Sequence, residues 1–260
     1  MKFLNNLNRS AQREQPISPY HTINLNFFAI LLLVPLFINS CGITSSNEPD
    51  TIIEYDFRES EASWDPFFTD YNVGWGEKMD LTAEYRPLPE PLDTTDYGHY
   101  ISADNHSDDV KMLFRKQVDG LDPGADYRVG FTVRFGTSVP SGCAGIGGAP
   151  GEAVRAIADA SEIKPEPVVG GHDDNYYLLN IQHLNNSAVW YQNAMMGDIA
   201  NSRQCEEGHE YEIKEVSSDQ NHTTVTADDE GRVWLMFGTR SGFEGRTELY
   251  YTYLRAEFRK

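Results

Sequence analysis

The six residues Asp104-Asn105-His106-Ser107-Asp108-Asp109 crowd carboxylates, an amide, an imidazole and a hydroxyl into one short stretch. Asp104, Asp108 and Asp109 could supply several of the six to eight oxygens that Ca²⁺ takes. Asn105, His106, Asp108 and Asp109 could instead touch a polar ligand directly. The spacing is not that of an EF-hand, and the plainer reading is a tight turn in which Asx and Ser side chains cap their own backbone. A second group is aromatic: Trp64, Phe67, Phe68, Tyr71 and Trp75. Rings such as Trp64 and Trp75 can stack on a sugar face, although plugging one end of a β-sandwich is the plainer reading.

Other chemistry finds less footing. Gly145-Ile-Gly-Gly-Ala-Pro-Gly lacks the Lys-Ser/Thr of a phosphate loop, so its glycines read as backbone that turns sharply or lies close against another segment. In Ser241-Gly242-Phe243-Glu244-Gly245 the serine comes first, which is not a nucleophile elbow. Seven histidines show no HxH or HExxH spacing. Forty acids make some close carboxylate pair inevitable and none assignable. No catalytic residue and no cofactor is therefore named beyond the calcium candidate, and Asp228-Asp229-Glu230 reads as a solvated hairpin tip.

These residues must be held by strands. Tyr127, Val129, Phe131, Val133 and Phe135 alternate with Arg128, Gly130, Thr132 and Arg134, the period of two of a half-buried strand. Asp122-Pro123-Gly124 turns the chain ahead of it. Ile53–Phe57 and Val110–Phe114 alternate similarly, and His99–Ala103, Glu152–Ala158, Tyr176–Ile181 and Leu249–Phe258 read as further strands. Val189–Met195 and Tyr211–Val216 do so less clearly, while Thr223–Ala227 and Arg232–Phe237 read as a hairpin. Ser60–Phe68 reads as an ordered loop, and Pro87, Pro89 and Pro91 confine their segment to an edge or the surface. No long 3.6-residue period is present. The expectation is an all-β, two-sheet antiparallel β-sandwich, jelly-roll-like, with Ile53–Phe57 beside Leu249–Phe258.

The first forty residues read as an address. Lys2, Arg9 and Arg13 precede an apolar run over Phe27–Phe37, too short to span a bilayer as a helix. The run ends Phe37-Ile38-Asn39-Ser40-Cys41-Gly42, which resembles the lipobox of bacterial lipoproteins and implies lipidation of Cys41. Gly42 in place of an aspartate implies the outer membrane as the favoured site in the cell envelope. Residues 1–40 are then a signal peptide, 41–50 a lipidated cysteine and tether, and 51–260 the β-sandwich domain. Beyond residue 40, 18 Lys and Arg face 39 Asp and Glu, a net charge of −21, which repels nucleic acid. The two other cysteines, Cys143 and Cys205, form an even pair in an exported chain and are expected to be a disulfide.

From about Tyr55 to Phe258 the chain resembles a family of uncharacterised exported bacterial proteins. The resemblance is carried in order by Asn105–Asp109, Gly120–Gly124, Gly145–Glu152, Gly197–Asn201 and Ser241–Gly245. More loosely the pattern is similar to galactose-binding-like jelly rolls and carbohydrate-binding modules. The resemblance implies a fold and an exported address and supplies no catalytic residue. The functional expectation is a lipid-anchored, non-catalytic envelope protein whose partners are the membrane and a glycan or other surface component. An envelope glycoside hydrolase or lyase and a purely structural surface protein are the alternatives.

Overall fold

A computed structural model describes residues 48–106, 109–185, 195–219 and 222–260. Cys41 with its lipobox, Asp108 and most of Val189–Met195 lie outside them. The strands are β1 (Thr51–Asp56), β2 (Asp65–Thr69), β3 (Tyr71–Asn72), β4 (Thr82–Pro87), β5 (Tyr97–Asp104), β6 (Lys111–Val118), β7 (Asp126–Thr137) and β8 (Val154–Ser161). They continue with β9 (Pro167–Gly170), β10 (Tyr176–Leu179), β11 (Met195–Asp198), β12 (Glu212–Ser217), β13 (Thr223–Thr226), β14 (Val233–Ser241) and β15 (Arg246–Arg259).

Two antiparallel sheets face each other. The first runs β12-β7-β15-β5-β4, with β13 extending the outer edge of β7 and β1 pairing with the second half of β15. The second runs β11-β8-β14-β6-β2. From β5 to β8 the chain passes from one sheet to the other at each step, the jelly-roll habit. The alternation of β7 is obeyed: Tyr127, Val129, Phe131, Val133 and Phe135 are buried, while Arg128 and Arg134 face outward. The first and last strands lie side by side as expected, with Thr51 opposite Phe258 and Tyr55 opposite Leu254.

Between the sheets the centre is aromatic. Phe237 stacks on Phe57 and Phe114 and meets Trp64 and Tyr251 edge-on. Each such side chain contributes roughly 1.5–3 kcal/mol through burial.

Two readings of the sequence are corrected. Ser60–Phe68 is not wholly a loop, because Asp65–Thr69 pairs with β6 as the edge strand β2. Thr223–Ala227 and Arg232–Phe237 are not a hairpin: β13 pairs with β7 in the first sheet and β14 with β6 and β8 in the second, so the turn between them crosses the sandwich. Asp228 holds that turn by accepting from the backbone N–H of Glu230 and Arg232. The two-sheet sandwich is as expected, with one addition. A small sheet, β3-β10-β9, covers the outer face of the second sheet. Its cover gives a second core of Phe67, Leu113, Ile157, Leu179, Ile181, Leu184 and Met236. Strands apolar on both faces lose their clean alternation, which is why β8 reads as the near-continuous run Ala-Ile-Ala-Asp-Ala.

The proline segment behaves as its chemistry demands. β4 is an edge strand ending at Pro87, and beyond it Leu88 and Leu92 fold over the outer face of the first sheet onto Tyr100 and Tyr250.

Candidate functional site

The structure disperses the candidate residues named from the sequence rather than gathering them, and the reasons are local. Trp64 is corrected from stacking platform to core residue: it is 4% exposed and packed edge-on against Tyr55, Phe57 and Phe237. Trp75 packs partly against the same core, with the Lys78 ammonium 3.7 Å from the centre of its ring. Asn105 is buried, and its Nδ2 donates to the carbonyls of Ser241 and Phe243 at 2.9 and 2.8 Å, so it ties two turns together. Asp104 lies 3.6 Å from Arg246, Asp109 is ion-paired with Arg240, and His106 is exposed. Among the described residues no three His, Cys, Asp or Glu side chains are grouped to hold a metal ion.

Four of the five resembling segments instead build one end of the sandwich. Gly242 N–H donates to Ala153 O, Glu244 N–H to Ile146 O, Ile199 N–H to Gly151 O, and Asn105 N–H to Gly245 O. Here the glycines have their explanation. Gly147 adopts φ +72°, and a Cβ there would stand 2.3 Å from Gly242 O; a Cβ on Gly151 would stand 2.7 Å from that of Ala200. The backbone segments touch, and only hydrogen fits between them. The Cys143–Cys205 disulfide, expected from the even pair, staples this loop to the segment before β12. A parallel bridge between Ser141 and Gln204 runs beside it.

An open cleft lies elsewhere, along the side of the sandwich. A cleft of about 440 Å³ separates the end of β8 from β13. One wall is Ala160–Ile163, the second is Thr224 and Val225, and the third is Asn180–His183. The volume is in the range of small-ligand sites, and the lining sets apolar Ala160, Ile163, Ile181 and Val225 among hydroxyl, amide, carboxylate and imidazole groups.

Each wall is fixed by ordinary packing. Gln182–Leu184 is a single 3₁₀ turn, whose three-residue period puts Ile181 and Leu184 on one side, inside the second core. Gln182 and His183 are thereby turned outward and are exposed. Asn180 is committed to structure: its Oδ1 accepts from Glu166 N–H and its Nδ2 donates to Lys164 O. Glu162 Oε1 accepts from Thr226 N–H at 3.3 Å, linking the edges of the two sheets.

The centre of the cleft's chemistry is His183. Its Nε2 lies 2.6 Å from Asp159 Oδ2, and Asp159 Oδ1 accepts from Ala160 N–H at 2.8 Å. Asp159 is 1% exposed while the His183 side chain is 44% exposed, so a buried carboxylate holds an imidazole that reaches solvent. A carboxylate only accepts, so Nε2 carries the proton and Nδ1 of the neutral ring is the acceptor. The hydrogen bond to Asp159 raises the His183 pKa above the ordinary 6.5, burial opposes the rise, and the carboxylate's charge adds to it. Sequence spacing could not bring these two together, since they are twenty-four residues apart. One signal was present: Asp159 is an acid in the middle of an apolar strand.

The outer face of the first sheet is the other place where aromatics and charges meet. Glu248 accepts from Tyr100 Oη at 3.1 Å and Tyr211 Oη at 2.5 Å, and Arg86 lies 3.4 Å above the Tyr100 ring while donating to Tyr250 Oη. Tyr100 and Tyr250 are 2% and 6% exposed, so their rings are already covered and offer no stacking surface.

No family model matches this chain, and no curated protein matches it in sequence. Solved structures of similar shape do exist. One is a carbohydrate-binding module of the β-sandwich superfamily, with TM-score 0.38, 10% identity, and coverage of 79% of this chain and 61% of that one. Another is the enzymatically active domain of tailspike protein 4 from bacteriophage CBA120, with TM-score 0.32, 11% identity, and coverage of 76% and 20%. A third is a protein named for sugar binding from Bacteroides thetaiotaomicron VPI-5482, with TM-score 0.37, 7% identity, and coverage of 75% and 88%. The chain thus spans less than two thirds of the first two structures. At these scores the likeness is confined to architecture.

Proposed function

We propose that this is an envelope β-sandwich, lipid-anchored through Cys41, that binds a neutral glycan or another polyhydroxylated surface component in the side cleft. The observation that carries the reading is the cleft lining. Ser161, Thr224, Gln182 and His183 offer hydroxyl, amide and imidazole groups beside the exposed apolar Ile163, the pairing that a sugar's hydroxyl rim and C–H face require. The net charge of −19 argues against polyanions and nucleic acid as ligands. A glycosidase needs two carboxyl groups flanking the scissile bond. Among the described residues, Glu162 is the one carboxylate lining the cleft, and Asp159 is buried behind His183, which favours binding without glycosidic cleavage.

The exported address rests on Phe37–Gly42 and on the ordered segments described above. Two or more acyl chains on Cys41 would hold the protein stably where a single chain is marginal. For calcium, Asp104 and Asp109 each have an arginine partner, which favours ion-pair roles for those two, while Asp108 lies outside the described residues.

The test is retention of the purified full chain on a panel of neutral and acidic polysaccharides, with reducing ends assayed in parallel. Retention on a neutral polysaccharide without new reducing ends is expected. Release of reducing ends, or retention on acidic polymers alone, would overturn the reading.

A further inference from the structure

We propose that the cleft also hydrolyses acyl esters carried on its hydroxylated ligand, with His183 as the general base. The proposal rests on the binding reading and concerns a reaction that binding does not require. An exposed imidazole needs no buried carboxylate behind it in order to donate or accept a hydrogen bond. Asp159 is nonetheless sunk in the outer face of β8, fixed by Ala160 N–H and aimed at Nε2. That arrangement fixes the tautomer and stabilises the imidazolium formed when Nδ1 takes a proton, which is what a buried carboxylate does for a catalytic histidine.

The reaction follows from what the walls hold. Ser161 Oγ accepts from Ile163 N–H at 3.2 Å, and water is the assigned nucleophile. His183 Nδ1 removes a proton from a water molecule as the water oxygen adds to the acyl carbon. The carbonyl π electrons move onto oxygen, toward which Gln182 and Ser161 offer N–H and O–H donors from the same cleft. Collapse breaks the bond between the acyl carbon and the sugar oxygen, and the proton on His183 passes to the departing alkoxide. One ester and one water become one acid and one alcohol, with no oxidant, metal or covalent intermediate. Among the described residues, the ionisable groups around His183 are Asp159, to which it is bonded, and Glu162, which lines the same cleft. Asp159 acts as a positioning residue.

The experiment incubates the full chain with a water-soluble O-acetylated xylan, measures released acetate across pH, and measures retention on the same xylan after chemical deacetylation. Acetate release above the buffer rate is expected, rising with pH to a plateau as His183 loses its proton. His183→Gln and Asp159→Asn should each lower it roughly 10²-fold or more. In Asp159→Asn the midpoint of the residual activity should also move to lower pH, because the carboxylate that raises the imidazole pKa is gone; a merely structural role would not move it. Retention without acetate release, or release unchanged in His183→Gln, overturns the esterase proposal and leaves binding standing. Loss of both retention and release overturns the binding reading with it.

Discussion

The end of the sandwich built from Gly145–Glu152, Gly197–Asn201 and Ser241–Gly245 and the cleft at its side differ in what fills them. At the braced end, backbone lies against backbone. Glycines stand where no Cβ fits, Asn105 bonds two carbonyls at once, and a disulfide ties the loop down. In the side cleft the space between segments is open, and side-chain hydroxyl, amide and imidazole groups face it. The difference teaches that a distinctive run of residues can mark a packing problem rather than a site. Glycine-rich and Asx-rich segments are needed wherever chains cross at contact distance, whereas a binding wall can be made of common residues on three ordinary elements.

The comparison can be broken first at the disulfide. Replacing Cys143 and Cys205 by serine frees a loop of 62 residues in the unfolded chain and should lower stability by up to about 4 kcal/mol in urea unfolding. Binding in the cleft should persist while the chain is folded, and its loss in the folded variant would show that the two regions are coupled. Gly147→Ala comes next. A side chain forced into positive φ against Gly242 O should cost roughly 2–3 kcal/mol, read as a fall in the urea midpoint. An unchanged midpoint would mean that the loops are not in contact. Asn105→Ala leaves the carbonyls of Ser241 and Phe243 without its two donors, for a loss of about 2 kcal/mol by the same measurement.

How much of this was legible depended on whether the residues facing each other lay on one strand. β7 announced itself because one of its faces packs on the main core while the other presents Arg128 and Arg134. The pairing of β1 with β15 followed from the fold class, and Cys143 with Cys205 from counting. The second core was not legible: β8 and β14 are covered on both faces, so Ile157 and Met236 break the alternation that would have told inside from outside. β13 and β14 looked like a hairpin because their spacing suits one, and which sheet each joins is decided by partners a hundred residues away. His183 and Asp159 were invisible as a pair for the same reason. Trp64 misled because a tryptophan in an aromatic-rich loop reads the same whether it faces solvent or Phe237.

The smallest effect sharpens the cleft side of the comparison. The folded pKa of His183 is raised above its unfolded value, so the added attraction of the protonated ring for Asp159 stabilises the fold fully below about pH 6.5 and is lost as pH rises through the folded value, while the Nε2–H hydrogen bond of the neutral ring remains. The stability gap between the natural chain and His183→Gln should therefore be largest below about pH 6.5 and narrow as pH rises above it, and it should stay under about 1 kcal/mol because the imidazole is half exposed. Buried His99, whose pKa is lowered chiefly by desolvation, contributes stability above about pH 6.5 that is lost as pH falls. It is common to both chains and cancels from the difference. A gap that widens with pH would contradict the assignment of the His183 bond.

The most direct test of the central claim, that ligand enters at the side and not at the braced end, is the affinity of the full chain for the polysaccharide it retains, compared between Thr224→Trp and Gly147→Ala. Thr224 is exposed on β13 at the cleft wall, and an indole there fills the space a sugar ring would occupy. Affinity should fall at least about tenfold, or 1.4 kcal/mol, in Thr224→Trp and stay within about twofold in Gly147→Ala at a temperature where both are folded. Undiminished binding by Thr224→Trp, or binding lost in Gly147→Ala, would contradict the account.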